Sequence, residues 1–362
     1  MNKNIAIICN YDIRPNRIGG MDRFFKLFNT KMIEEGYLVK WFFYKGELFD
    51  YYDEFDIEIP KNNERITDYF LNYVKVNNYS VDVLVAHFID TVSPFYKKCK
   101  QLGVVKTIAV DHMPRPLEGY VLNKKIKKRI KGFLYTKYTD KIIGVSKYII
   151  TMTKNDYGVR ASEKVQVIYN GIDIERFEYK TNFDTKNVIK FIVPTNLRPE
   201  KGIQDLLKAL MLLDDSTKEK IQIDIYGTGE SEEELKRMTI DNELSKIITF
   251  KGSTTQLPKL FCKYDFTLQP TYMEVFSLTI LESLASNVPV ITTPVGGNLE
   301  AITDGENGFV FNPKDQLKLA EIITDLVTST IEIKEKNTRK LVKENFTINQ
   351  MVSNHINAIK CI

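Results

Sequence analysis

The sequence predicts an α/β protein of two Rossmann-like domains whose parallel β-sheets face a central cleft. Three observations lead there. Short apolar runs alternate with longer amphipathic stretches along the whole chain. The alternation falls into two series, divided by a polar stretch at residues 173–186 rich in charge, Asn and Thr. Motifs rich in Gly, His and Glu follow the predicted strands, where open α/β sheets bind ligands.

In the first series, strands are expected at residues 5–9, 38–44, 81–87, 105–110, 141–145 and 165–169. Residues 22–35 read as an amphipathic helix through Phe25, Leu27, Phe28 and Met32, and 66–76 as another. In the second, strands are expected at 188–194, 221–226, 247–251, 266–269, 288–292 and 308–311. Helices are expected at 203–213, 231–238, 255–264, 277–286 and 315–327, with a last one at 348–359. Ser231 and Glu234 have the spacing of a capping box. Strand–helix alternation of this kind implies parallel sheets covered on both faces. The domains are therefore placed at 1–172 and 173–345.

Composition bounds the function. A chain of 362 residues, 43% hydrophobic and 27% charged, can build a full core. With 51 basic and 47 acidic residues the net charge of +4 gives no case for nucleic acid. Cys9, Cys99, Cys262 and Cys361 are scattered, which fits a reducing cytosol rather than a disulfide framework or zinc site. Three histidines, none paired with an acid at ligand spacing, argue against a metal centre. No apolar run approaches the ~20 residues of a membrane span.

The chain is organised around residues 272–283, Tyr-Met-Glu-Val-Phe-Ser-Leu-Thr-Ile-Leu-Glu-Ser. Glu274 lies in a strand-to-helix loop and Glu282 more than a turn into the helix. Ser277 is the expected N-cap, because its hydroxyl can accept from the free amides of the first turn. The amides after Phe276, including those of Ser277 and Leu278, suit a phosphate. An isolated pair of glutamates at this spacing is common by chance, so the surrounding sequence decides.

Other motifs stand at strand ends. Gly19-Gly20 opens the first helix, and paired glycines allow close backbone approach to a ligand. Arg14 and Arg17 in the same loop either hold a phosphate or are solvated. His87 and His112 each follow a strand, and His87 is read as acceptor-side lining. Residues 167–173 contain Asn-Gly, a turn signal between the domains. Residues 195–202 (Thr-Asn-Leu-Arg-Pro-Glu-Lys-Gly) carry Arg198 and Lys201. Gly227-Thr-Gly229 is half a dinucleotide fingerprint, broken by Glu232 at the third glycine position. Gly296-Gly297 with Glu300 enters a further expected helix. Residues 122–137 hold seven cations around a stripe of Leu122, Ile126, Ile130, Phe133 and Leu134. That stripe is expected to pack inward, leaving a basic face free for anionic lipid.

The run Glu-x-Phe-Ser-Leu-x-x-Leu-Glu, followed by Asn-Val-Pro-Val-Ile-Thr-Thr-Pro-Val-Gly-Gly, resembles the signature of the retaining glycosyltransferases of family 4, which have the GT-B fold. Their Glu-x7-Glu motif falls on Glu274 and Glu282. The resemblance extends over nearly the whole chain and is strongest from Asn196 to Gly308. It implies a metal-independent enzyme, with no cofactor, that passes a hexose from a nucleotide-diphosphate sugar to an acceptor hydroxyl on a glycan or lipid-linked glycan. By the same resemblance Glu282 binds the ribose, Lys201 and the amides after Phe276 the diphosphate, and Glu274 the sugar. His112 stands at the sugar end, Gly20 near the donor phosphates and Gly227 at the nucleotide end. It also implies that the helix at about 346–362 packs back on the first domain, and that membrane-associated members use basic surfaces like 122–137. The enzyme is thus expected in the cytoplasm, peripheral at the inner face of the membrane. Two departures stand out. Val275 replaces the usual Gly, and Asn196 replaces the usual Arg, with Arg198 two residues later. A GT-B epimerase or phosphorylase, an NAD-dependent oxidoreductase and a non-catalytic sugar-nucleotide binder remain as alternatives.

Overall fold

The structure, a computed structural model, describes residues 3–15, 18–62, 64–183, 188–335 and 337–362. Arg17 and the end of the stretch between the domains lie outside them. The chain divides into two compact units. Unit 1 comprises Met1–Met113, Gly119–Asn170 and Ile348–Ile362, and unit 2 comprises Pro114–Glu118 and Gly171–Thr347.

Unit 1 holds seven parallel strands: β1 (Asn4–Ile13), β2 (Leu38–Gly46), β3 (Asp56–Glu58), β4 (Val83–His87), β5 (Lys106–Asp111), β6 (Lys141–Gly144) and β7 (Val165–Val167), in the order β3-β2-β1-β4-β5-β6-β7. β1 is an interior strand, and Ile5 to Cys9 are fully buried between β2 and β4. A parallel sheet covered on both faces needs such a continuous apolar run. β3 has no counterpart among the expected strands. It is a three-residue edge strand with two acidic residues, and both bind Lys40 Nζ of β2, at 2.7 Å from Asp56 and 3.3 Å from Glu58. Charge on a short edge strand blocks further pairing, and it also hides the strand from an apolar-run search.

Unit 2 holds six: β8 (Ile189–Pro194), β9 (Ile221–Tyr226), β10 (Ile248–Gly252), β11 (Phe266–Gln269), β12 (Val290–Thr292) and β13 (Gly308–Val310), ordered β10-β9-β8-β11-β12-β13. All are parallel, and all match expected positions. The order reverses between β8 and β11. The core packs Leu206, Leu207 and Leu210 of the helix Ile203–Met211 and Ile322 and Ile323 of the helix Gln316–Val327 against the sheet.

Four local expectations are corrected. The helix expected at 255–264 is one turn, Leu257–Leu260, continued by a 3-10 turn, Phe261–Lys263. Pro258 tolerates only the first turn of a helix, and Phe261 alone is buried. The Gly296-Gly297 loop enters only a 3-10 turn, Asn298–Glu300. Ser231 makes no side-chain cap; its amide donates to the Leu197 carbonyl at 3.0 Å, and Glu232, Glu233 and Glu234 occupy the positive end of the helix Glu232–Asp241. Finally, the apolar stripe of the helix Leu122–Tyr135 does not pack inward. Leu122, Ile126, Ile130, Phe133 and Leu134 are all exposed, and only Gly132 is buried. This helix rests on its neighbour through backbone: a Cβ on Gly132 would lie 2.0 Å from the Tyr157 carbonyl oxygen.

The helices Pro94–Gln101 and Tyr148–Tyr157 complete unit 1. The helix Ile348–Lys360 also belongs to it, packed on the helix Gly20–Glu34, with His355 and Phe24 ring centroids 4.8 Å apart.

Candidate active site

In unit 2 the reversal of strand order between β8 and β11 leaves a crevice at the carboxyl ends of those strands, the position where open α/β sheets hold ligands. The loops after β8 and β11 meet there. Lys201, in the first loop, places Nζ 3.1 Å from Glu274 Oε2 in the second. Both side chains are half-buried. Residues far apart in sequence thus join as one cation–carboxylate pair at the crevice.

Glycines set this geometry. Gly202 has φ +71°, and a Cβ there would lie 1.9 Å from the Pro270 carbonyl oxygen. Gly227 (φ +131°) lies against the Thr195 carbonyl and Gly296 (φ +61°) against that of Glu274, with hypothetical Cβ contacts of 1.8 and 2.2 Å. The Lys201 and Glu274 loops are therefore held by backbone-to-backbone packing that any side chain would push apart. Gly227 acts on the loop bearing Asn196 and Lys201, so its absent side chain positions that loop whatever else it touches. The Gly296→Ala variant is expected to lose more than about 2 kcal/mol of stability, the backbone cost of a left-handed Ala plus the clash. Gly305→Ala shares the positive φ, +73°, but meets nothing within 4 Å, and should lose only about 1 kcal/mol. Urea unfolding of the two variants checks this; equal losses would show that the close approach at Glu274 is unimportant.

Hydrogen bonds finish the clamp. Tyr272 N donates to the Glu200 carbonyl at 2.8 Å, and Gly297 N to that of Val275 at 2.8 Å. The Tyr272 hydroxyl donates to Asp205, which also accepts from Gln316 at 2.8 Å. Burial, then this carboxylate, raises the Tyr272 pKa, so it stays a neutral donor. Asp205 escaped the sequence reading, because one acid in the first turn of an amphipathic helix has no distinguishing pattern.

Ser277 caps the helix Leu278–Ala285: its Oγ accepts from Ile280 N and from Gln269 Nε2, the latter at 2.6 Å. Phe276 is buried, 5.3 Å from the Phe346 ring. Leu278 is half-buried in the first turn, and Glu282, also half-buried, projects from the same helix. Arg198 is turned away to Glu200, at 3.3 Å, and does not join Lys201 and Glu274.

Gly20 and His112 belong to unit 1. The start of the helix Gly20–Glu34 has a carboxylate of its own: buried Asp22 accepts from Gly19 N at 2.7 Å and from the hydroxyls of Tyr11 and Tyr52. The positive helix end is thereby partly satisfied from within. His112 follows β5 and stacks on Phe88, with centroids 4.4 Å apart. Its Nε2 is 3.1 Å from His87 Nδ1. His87 is fully buried behind it, so it lines no surface, contrary to the expectation from its strand-end position. Burial, then His355, lowers the His112 pKa to about 3, and burial lowers His87 well below its ordinary value, leaving both neutral.

Unit 1 also holds a cavity of about 630 Å³ at the carboxyl ends of its strands, lined by Asn10, Tyr44, Phe88, Asp90 and Lys98 among others. Among the described residues, no cluster of His, Cys, Asp and Glu is arranged to hold a metal ion.

Residues 18–176 match the model of Glycosyltransferase Family 4, and residues 173–345 that of Glycosyl transferases group 1. An uncharacterized glycosyltransferase of Methanocaldococcus jannaschii is 29% identical over 225 residues, 61% of this chain and 58% of that protein. The glycogen synthase of Mycobacterium tuberculosis is 26% identical over 251 residues, 68% of this chain and 58% of that protein. The match thus spans a little over half the length of each of these curated relatives. A crystal structure of Anabaena HepE in complex with UDP and glucose superposes with a TM-score of 0.76 at 18% identity, covering 99% of both chains, a likeness of fold. The two family models meet at the junction of the two units, and the chain belongs to the group 1 and family 4 glycosyltransferases of the GT-B fold.

Proposed function

We propose that the protein is a retaining hexosyltransferase that takes a nucleoside-diphosphate hexose and passes the sugar to a hydroxyl of a glycan or lipid-linked glycan. The observation that carries this reading is the Lys201–Glu274 pair at the β8/β11 crevice, beside the capped helix that bears Glu282. Lys201 and the amides of Ser277 and Leu278 oppose the diphosphate charge, so the leaving group is stabilised by fixed protein charge and dipoles without a metal ion. Glu282 takes the ribose hydroxyls and Glu274 the hexose hydroxyls. Neutral His112 serves as a hydrogen-bonding group for the sugar, not as a cation. The cavity of unit 1 receives the acceptor. Retention follows if leaving group and acceptor use the same face of the hexose. HepE binding UDP and glucose in the same fold makes a uracil base the first expectation.

A thermal-shift panel of UDP, GDP, ADP, CMP and NAD, with their sugar conjugates, tests the donor. A ligand at ~100 times its Kd adds about 2.7 kcal/mol. Stabilisation by UDP and a UDP-hexose is expected, and it should vanish in Glu282→Ala. Silence from every sugar nucleotide together with a shift from NAD would overturn the reading. With the donor identified, NMR of the first-formed product reads the anomeric configuration; an inverted anomer would refute retention.

A further inference from the structure

We infer that the acceptor received by the cavity of unit 1 is a phosphorylated sugar or polyol, whose phosphate seats at the N-terminus of the helix Pro94–Gln101 beside Ser93 and Lys98. That the bound molecule is the acceptor rests on the transferase reading above; the phosphate seat rests on the cavity. Ser93 lines this cavity of about 630 Å³ and occupies the N-cap of the helix, with extended backbone. Serine at an N-cap ordinarily accepts from a first-turn amide. Here no such bond forms. Ser93 is only 8% exposed, its Oγ has no hydrogen-bond partner, and no side chain caps the helix. A buried hydroxyl left unpaired destabilises the free fold, and so asks for an explanation outside it. The amides of Phe95 and Tyr96 belong to the first turn, where N–H groups have no intrahelical acceptor. Pro94, at the first position, has no N–H to offer. The first turn holds no acid, so nothing in the helix competes for its positive end. Such a terminus receives an anion.

Charge and shape identify the ligand. Lys98 lines the same cavity, one helical turn from Pro94 on the same face. It is exposed and makes no ion pair among the described residues. The other charges of the lining are matched, Arg65 with Asp68 at 2.8 Å and Asp90 with Lys131 at 2.9 Å. One positive charge is therefore left for the ligand. Another part of the wall is aromatic. Phe88 holds φ +58°, a left-handed backbone that bulky residues avoid, and its ring stacks with those of His112 and Tyr11, at centroid distances of 4.4 and 5.8 Å. Strain of this kind clusters at ligand sites. An aromatic face suits the apolar side of a sugar ring, and Asn10 its hydroxyls. Two amides, a hydroxyl and an ammonium suit the three oxygens of a phosphate ester better than the two of a carboxylate.

Isothermal titration of the full chain with glucose 6-phosphate and with glucose tests the seat, and it needs neither donor nor turnover. A missing nucleotide-induced shift would remove the transferase reading without touching this result, and the converse also holds. Glucose 6-phosphate should bind at least about tenfold more tightly than glucose. Ser93→Ala should weaken its binding by about tenfold, with a urea midpoint equal to or above that of wild type, because the hydroxyl has no partner in the free fold. Lys98→Ala should weaken it by about tenfold as well. Lys201→Met, in unit 2, should leave it unchanged. Farnesyl-diphosphate-linked N-acetylglucosamine in the same titration sorts the source: tighter binding than glucose 6-phosphate assigns the phosphate to a lipid-linked glycan, weaker binding to a soluble sugar phosphate. Neither ester binding more tightly than glucose, or Ser93→Ala binding as well as wild type, overturns the inference. So does a loss in Lys201→Met as large as that in Ser93→Ala, which would move the anion to unit 2. A urea midpoint lowered in Ser93→Ala would overturn it too, since Ser93 would then serve the fold.

Discussion

Replacing Lys201 with Met is expected to lower kcat by about 10²–10³-fold, the usual effect of removing one preorganised group that faces developing negative charge. The structure gives the reason for expecting a catalytic rather than a stability loss. Lys201 and Glu274 are half-buried, and a pair of that kind contributes about 1 kcal/mol or less to folding. Without ligand each neutralises the other; in the proposed mechanism Lys201 turns its charge to the diphosphate and Glu274 to the hexose. Glu274→Ala should cost a similar factor. The double variant should fall within about tenfold of the worse single one, because groups acting as a unit are not additive. Steady-state kinetics beside thermal unfolding decides. Turnover in Lys201→Met within a few fold of wild type would remove this lysine from the mechanism.

Unit 1 is expected to lose about 3–5 kcal/mol of stability between pH 6.5 and pH 5, before the ordinary carboxylates titrate. His87, His112 and His355, all the histidines of the chain, cluster there. His87 and His355 rings stack with centroids 6.4 Å apart, and His355 Nδ1 donates to the Met351 carbonyl at 2.8 Å. Burial lowers the His355 pKa to about 4, that of His112 to about 3 and that of His87 well below its usual value. Unfolding exposes imidazoles that titrate near 6.5. As pH falls below that, the unfolded chain takes up protons that the folded one refuses, so stability falls until the folded values are reached. Between pH 6.5 and pH 5 each fully buried imidazole contributes about 1.5 kcal/mol of that loss, and half-buried His112 less. Urea midpoints across this range check the slope. His355→Phe, in a site already formed by Phe24 and Phe28, should reduce the slope by about one proton. An unchanged slope would mean that His355 is protonated or solvated in the folded protein.

Much of this was legible in the residues. Most strands of unit 2 carry at least two large apolar residues, consecutive in β8 and β12 and alternating in β9, β10 and β11, and the loops between them are marked by glycines that the backbone requires. Ser277 and Asp315 cap the helices they precede, each accepting from an amide three residues on. What stayed hidden depends on tertiary position. β3 is mostly charge. The helix Pro94–Gln101, with Pro, Phe and Tyr followed by lysines, shows a short apolar face only once it is seated. An amphipathic pattern marks an apolar face without saying what that face meets, and so the stripe of Leu122–Tyr135 was misjudged. His87 stands at a strand end, as ligand-binding residues do, yet His112 and Phe88 close over it.

The placement of Ile348–Lys360 bears on how the molecule is made. His355 fills the space between Phe24 and Phe28 on one side and His87 on the other, and Lys141 reaches the Ala358 carbonyl at 3.0 Å. These partners are translated early and this helix long after them. Unit 2 is contiguous apart from Pro114–Glu118 and can close as it leaves the ribosome, whereas the first-made sheet waits with an aromatic flank uncovered. The N-terminal domain is therefore begun first and finished last. During that interval its open flank, rather than the finished surface, is where a chaperone would be needed.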